Sequence, residues 1–213
     1  YEEYIKDGDE DYKWPVLEDD AACALCYTSG TTGNPKGVLY SHKSNIYHAT
    51  SAYAALTIDK DDCILMVVPM FHVLAWGIPY FGPMTGNKLV MPGMGMEGDS
   101  LYELIDTEGV NSTFGVPTVW MQLLAYCREN NKVLDSVNNT IIGGSALSLA
   151  MLKEFDEVHN VNVIHAWGMT EMSPLGTTNL PTAEMETMSK DEKYAIQLKQ
   201  GRPVFGVELK ITD

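Results

Sequence analysis

Two short stretches of the 213-residue sequence concentrate side chains that can do chemistry. The first, Thr28-Ser29-Gly30-Thr31-Thr32-Gly33-Asn34-Pro35-Lys36-Gly37, places hydroxyls and glycines in a turn and follows them with a cation. Backbone N–H groups left uncovered in such a turn can wrap phosphate oxygens, while a lysine on its flexible stem adds mobile positive charge. The second, Ala166-Trp167-Gly168-Met169-Thr170-Glu171, supplies a ring, a glycine, a hydroxyl and a carboxylate in one loop. Those groups can stack a base, admit a close backbone approach, hydrogen-bond a phosphate and offer a hard oxygen to Mg²⁺. These are the needs of a magnesium nucleotide. The first stretch differs from G-x-x-x-x-G-K-[ST], because Lys36 lies between Pro35 and Gly37 with no Ser or Thr beside it for magnesium, which disfavours a Walker-type ATPase.

Two weaker constellations accompany them. Pro69-Met70-Phe71-His72 follows an apolar run, and His72 and Trp76, four residues apart, would share a helix face if a helix starts there. That spacing serves a packed core as well as a pocket wall. Gly143-Gly144-Ser145-Ala146 permits close backbone approach to a flat ligand or simply a tight strand-to-helix turn.

The elements that must hold these residues follow from the apolar pattern. Residues 21–27 read as a buried strand entering the first stretch, and 37–40 as a strand leaving it. Ser41 suits a helix N-cap before the Ala-rich stretch 42–56. Residues 63–68 form a continuous apolar run of the kind found in covered parallel strands. Further strands are expected at 89–91, 112–114, 140–142 and 161–165. Helices are expected over 100–108, closed by Gly109, from Pro117 to about Glu129, and over 189–200 as a solvated helix. Strand and helix alternate, which is the α/β signature, with layered sheets and flanking helices. Residues 177–188, polar and interrupted by Pro181, read as a surface excursion, and 207–211 as a strand. Residues 1–20 are charged and turn-rich, an acidic surface approach to a domain spanning 21–213.

Composition narrows the function classes. A net charge of −15 argues against nucleic acid or anionic membrane as partner, since both attract basic surfaces. Hydrophobic residues make up 45% of the chain, enough for a core, and no apolar run approaches the roughly 20 residues that span a bilayer. Cys23 and Cys26 form a lone C-x-x-C without a second pair, and all four cysteines read as small core residues rather than metal or redox ligands. No signal peptide is visible, so a reduced, cytoplasmic setting is expected. His165, ending an apolar run, reads as a substrate-side neighbour at most, and more readily as a core histidine with a hydrogen-bond partner.

Residues 27–38 resemble, almost letter for letter, the phosphate-loop signature of the adenylate-forming superfamily: acyl-CoA synthetases, peptide-synthetase adenylation domains and luciferases. Residues 69–80 are similar to the stretch of bacterial medium- and long-chain acyl-CoA synthetases in which the His borders the carboxylate and the Trp gates the acyl tunnel. The resemblance implies those roles for His72 and Trp76, and pocket-wall positions for Val116 and Thr118. It implies a phosphate grip by Thr28, Ser29, Gly30, Thr31, Thr32, Gly33 and Lys36, and adenine contacts for Gly144, Ser145 and Ala146. In the second diagnostic motif, Trp167 would stack on adenine beside Gly168 and Met169, Thr170 would touch the α-phosphate, and Glu171 would hold Mg²⁺. Trp167 stands where many relatives carry Tyr, so stacking is retained and a phenol hydrogen bond is not. Gly201-Arg202-Pro203 and the strand expected after it resemble the family's next motif, a structural support.

The activity so implied is ATP-dependent activation of an aliphatic carboxylate, medium or long chain or a methylthioalkanoate, to an acyl-adenylate and then to a CoA thioester. ATP, Mg²⁺, CoA and a small carboxylate would be the partners. The chain would be the central part of a large N-terminal AMP-binding domain. The family's ribose-binding Asp and the catalytic Lys of its C-terminal lid domain would lie outside it, leaving the piece inactive alone. Another adenylating branch, or a nucleotide-binding fragment without catalysis, are the alternatives. Oligomeric state is left open, a homodimer of the intact parent being one option.

Overall fold

The structure, a computed structural model, describes residues 2–28 and 33–212. A short helix α1 (Glu2–Ile5) opens an approach segment whose described residues are exposed as far as Asp20. Strands β1 (Ala22–Thr28) and β2 (Lys36–Ser41) then form an antiparallel hairpin, with Thr28 opposite Lys36 and Ala24 opposite Tyr40. Helix α2 (His42–Ala55) begins at Ser41, whose hydroxyl accepts from the Ser44 N–H at 3.1 Å. That bond satisfies one of the donors a helix start leaves unpaired.

Strand and helix alternate from there: β3 (Cys63–Met66), α3 (Ile78–Thr85), β4 (Lys88–Val90), α4 (Gly98–Glu108), β5 (Ser112–Gly115), α5 (Pro117–Asn130), β6 (Asn139–Ile142), α6 (Leu149–Glu157) and β7 (Asn162–Gly168). Strand β8 (Leu175–Asn179), helix α7 (Lys190–Gln197) and strand β9 (Arg202–Pro203) follow. In space the strands lie in the order β4-β3-β5-β6-β7-β8-β9, parallel from β4 to β7 and antiparallel across β8 and β9. The chain steps from β3 outward to β4 and then returns to the other side of β3 as β5. Ligands of open α/β sheets gather outside the strand ends at such a reversal.

Alternation within the strands divides the core. Leu65, Ile142 and Val163 face α4, α5 and α6, where Trp120, Leu123 and Phe155 complete one buried cluster. Their neighbours Ile64, Ile141 and Ile164 face the opposite way, toward Ala52 of α2 and Ile78 and Phe81 of α3. Both faces are covered, as a parallel sheet requires.

Several expectations are corrected. Residues 21–27 do form a strand, but it is not buried: Leu25 and Tyr27 are exposed and Cys26 alone is fully covered, because β1 pairs only with β2 and not with the large sheet. Residues 73–77 are not an α-helix but a 3₁₀ turn in which Val73, Leu74, Ala75 and Trp76 take positive φ of 43° to 57°. Thr177, Thr178 and Asn179 are not a surface excursion. They are buried in β8, their polarity satisfied by the backbone, as where the Asn179 amide donates to Ile196 and Lys199 carbonyls. Residues 207–211 form no strand, having no ladder partner among the described residues. Cys26, Cys63 and Cys127 are buried, whereas Cys23 is half-buried. His165 is buried, yet its Nδ1 has no hydrogen-bond partner among the described residues. None of the helices in the described residues is long and apolar enough to cross a membrane.

Candidate active site

Beyond the carboxyl ends of β3, β5, β6 and β7 lies a cleft of about 230 Å³. The segment after β3 contributes His72, Val73 and Trp76; the segment after β6 contributes Gly143 and Gly144; and β7 with the loop beyond it contributes the run from Ala166 to Thr170. Leu56, Phe114, Ile141 and Leu175 give the floor its apolar character. Separate strand ends thus bring three of the four constellations named from sequence, those at 69–76, 143–146 and 166–171, to one cavity.

Each wall is built by a local device. His72 sits exposed at the mouth, its N–H bonded to the Pro69 carbonyl at 2.9 Å and its own carbonyl accepting from Ala75 at 3.0 Å. Trp76 reaches across so that a methyl group placed on Gly143 would come within 3.4 Å of its Cη2. Gly144 has φ +77°, a conformation that a Cβ disfavours, and Val116 borders the same glycine. At Gly168 a Cβ would stand 2.2 Å from the Pro174 carbonyl oxygen, so only glycine lets the chain fold back there. That fold is closed by the Met169 N–H donating to the same oxygen at 3.0 Å. Trp167 is half-buried and packs over Gly176.

The hairpin joins the cleft through one side chain the sequence reading did not single out. Tyr40, buried in β2, donates its hydroxyl to the Thr170 carbonyl at 2.5 Å. Burial raises its phenol above the ordinary value, and the charges of Cys26 and Glu171 push in the same direction. Glu171 itself is exposed on the 3₁₀ turn Thr170–Met172. Mg²⁺ is commonly held by one or two carboxylates plus substrate phosphates and water, so a single exposed acid such as Glu171 is of a kind that fits that ion as part of a nucleotide substrate. No cluster of three or more acidic, histidine or cysteine side chains forms a self-contained metal cage among the described residues.

Of the residues named from sequence, His72, Trp76, Gly144, Trp167, Gly168, Met169 and Thr170 line the cleft. Val116 and Glu171 adjoin it, and Ser145 and Ala146 are exposed just past Gly144. Thr28, Gly33 and Lys36 lie at the end of the hairpin, the last two exposed. Ser29, Gly30, Thr31 and Thr32 lie outside the described residues. Thr118 is exposed in the first turn of α5 and does not line the cleft. Sequence reasoning missed Leu56, Phe114, Ile141 and Leu175, whose only signal was apolarity at the end of a helix or within a strand. It also missed Tyr40, which closes the short apolar run after the glycine-rich loop.

A protein-family model described as AMP-binding enzyme matches residues 2–213. The chain is 51% identical to a medium-chain-fatty-acid–CoA ligase of Ectopseudomonas oleovorans, across 100% of this chain and 39% of that relative. It is 48% identical to a 3-methylmercaptopropionyl-CoA ligase of Ruegeria lacuscaerulensis, across 100% of this chain and 40% of that one. Among solved structures it is similar to the O-succinylbenzoate coenzyme A synthetase of Bacillus subtilis in complex with ATP and magnesium ion. The TM-score there is 0.78 at 27% identity, over 100% of this chain and 42% of the other. The chain therefore spans about 40% of the length of the curated relatives it matches. With the glycine-rich hairpin docked beside a cleft that gathers His72, Trp76 and residues 166–170, and with a family match running from residue 2 to residue 213, the chain belongs to the AMP-binding enzyme family.

Proposed function

We propose that the polypeptide carrying this chain is an AMP-forming acyl-CoA ligase acting on an aliphatic carboxylate. A carboxylate oxygen attacks the α-phosphorus of ATP, pyrophosphate leaves with the electron pair of the broken P–O bond, and the CoA thiol then displaces AMP from the acyl-adenylate. The observation that carries this reading is the convergence on one cleft of an apolar floor, a mouth bearing His72, and the Thr170–Glu171 turn tied to the phosphate-loop hairpin. The aliphatic tail would lie on Leu56, Phe114 and Ile141, with Trp76 at the entrance and its carboxylate toward His72. Trp167 and the Gly144 segment would flank the adenine. Lys36 and the loop hydroxyls would carry the pyrophosphate charge, and Glu171 the magnesium that ATP brings. Electrostatic preorganisation of this kind supplies much of the acceleration in such transfers.

The relatives support the substrate class: their names specify a medium-chain fatty acid and 3-methylmercaptopropionate, both aliphatic carboxylates. A branch that grips an α-amine through an acidic pocket residue is less well supported, because no acidic side chain lines the cleft among the described residues. A cytoplasmic setting accords with the four free cysteines.

The test is hydroxamate-trapped adenylation by the intact polypeptide across a series of carboxylates, followed by thioester formation with CoA. Aliphatic acids should turn over, and Lys36→Ala and Glu171→Ala should each lower the adenylation rate by about 10² or more. Near-normal rates in either variant would remove that residue from its role. The 213-residue piece by itself should show no turnover, and a rate like that of the intact protein would refute this.

A further inference from the structure

Tyr40 is a buried side chain that touches both walls of the cleft without lining it. Only 2% of its surface is exposed. Its ring packs with Cys26 of β1 and Val73, and the half-buried Leu74 and Trp76 lie against the same cluster. Its hydroxyl reaches the opposite wall, donating to the Thr170 carbonyl. Since Tyr40 stands on β2, five residues from the glycine-rich loop, three separate parts meet at one phenol: the hairpin, the left-handed turn bearing Trp76, and the turn bearing Glu171.

We propose that Tyr40 is a positioning residue with two separable duties: its hydroxyl fixes the Thr170–Glu171 turn relative to the phosphate-loop hairpin, and its ring braces the Val73–Trp76 turn that borders the acyl cleft. The hydroxyl donates to the Thr170 carbonyl, so removing it leaves that carbonyl only its longer bond from the Ser173 N–H at 3.4 Å while keeping the ring's packing in place. The ring in turn packs with Val73, the first of four consecutive residues in a left-handed conformation that carries a backbone cost, and adds to the burial that offsets it. The first duty belongs to the nucleotide side and the second to the carboxylate side. This inference deepens the acyl-CoA ligase reading and rests on it for the identity of the two ligands.

The test uses the intact polypeptide and three variants: Tyr40→Phe, Tyr40→Leu, and Tyr40→Met in case the leucine form does not fold. Mg-ATP affinity is measured by calorimetry, independently of turnover, and the acyl chain-length profile by thioester formation. Tyr40→Phe should weaken Mg-ATP about fivefold, the worth of one net hydrogen bond, with the profile unchanged. Tyr40→Leu or Tyr40→Met should show the same nucleotide loss together with a shifted chain-length optimum. Wild-type Mg-ATP affinity in Tyr40→Phe overturns the proposal, as does an unaltered profile in the truncated variants or a profile shifted equally by Tyr40→Phe. A mere loss of packing would lower the melting temperature without dividing the two readouts. Absence of thioester formation by the wild-type protein would instead sink the ligase reading, leaving the Mg-ATP comparison to decide the role of the hydroxyl; no Mg-ATP binding by the wild type would end both.

Discussion

The turn after β3 and the loop after β7 hold opposite walls of the same cleft by opposite means. Residues Val73 to Trp76 take positive φ without a glycine among them, each at a cost on the order of 1 kcal/mol. What offsets that cost is burial: Ala75 and Ile78 are fully covered, and Gly77 is pressed against the imidazole of His48 on α2. The loop from Met169 to Pro174 relies on hydrogen bonds instead, closing through Met169 to Pro174, Met172 to Met169, and Tyr40 to Thr170. Packing can be re-tuned by small changes in side-chain volume, whereas a hydrogen-bonded turn keeps its place or loses it. Under the proposed function, that difference would suit a wall for tails of varied length facing a wall for one nucleotide.

The sharpest way to break this contrast is Gly168→Ala. The new methyl would meet the Pro174 carbonyl at 2.2 Å, so the loop must shift, and a displacement near 1 Å at reacting groups costs about 10² in rate. Pyrophosphate release by the intact polypeptide should fall at least that far; a rate within threefold of wild type would mean the close approach is not what sets the loop.

Gly77→Ala probes the other wall. Its φ of +85° and a Cβ 2.4 Å from His48 Cε1 predict a loss of about 2–4 kcal/mol in denaturant unfolding, within the range for strained or overpacked sites. Part of that loss should return when His48→Ala is added, since the pair then no longer collides. Strict additivity of the two changes would show that the contact is not what constrains the turn.

The third test concerns pH. Burial lowers the His48 imidazole to about 4, and its Nε2 has no partner among the described residues. The unfolded chain binds this proton at the ordinary value near 6.5, so His48 contributes no instability above about pH 6.5. Stability falls as pH drops from there toward 4, by up to about 3 kcal/mol. His48→Leu should flatten that part of the curve; an unchanged slope would assign it to other groups.

Much of the large sheet was legible because covered parallel strands announce themselves as short apolar runs: 63–68, 140–142 and 161–165 each overlap one. Caps were legible too, as Ser41, Gly109 and Pro117 stand where local backbone chemistry needs them. Polar β8 was not, because Thr177 and Asn179 owe their burial to carbonyls of the chain near α7, about 20 residues further on. Strand β1 misled in the other direction. Its small apolar residues match a buried strand, but a sequence does not say which strand will pair with it.

For the site, residue type and spacing alone determined which groups are on offer: a glycine- and hydroxyl-rich turn followed by Lys36, an indole and a carboxylate in one loop, and a histidine past a strand end. Those properties reside in individual side chains and in backbone freedom over a few residues. Tertiary structure alone decided that four strand ends share one cleft, that the turn bearing Trp76 is left-handed, and that Tyr40 ties the hairpin to Thr170. These depend on strand order and on contacts between residues as much as 130 positions apart, which local pattern does not encode.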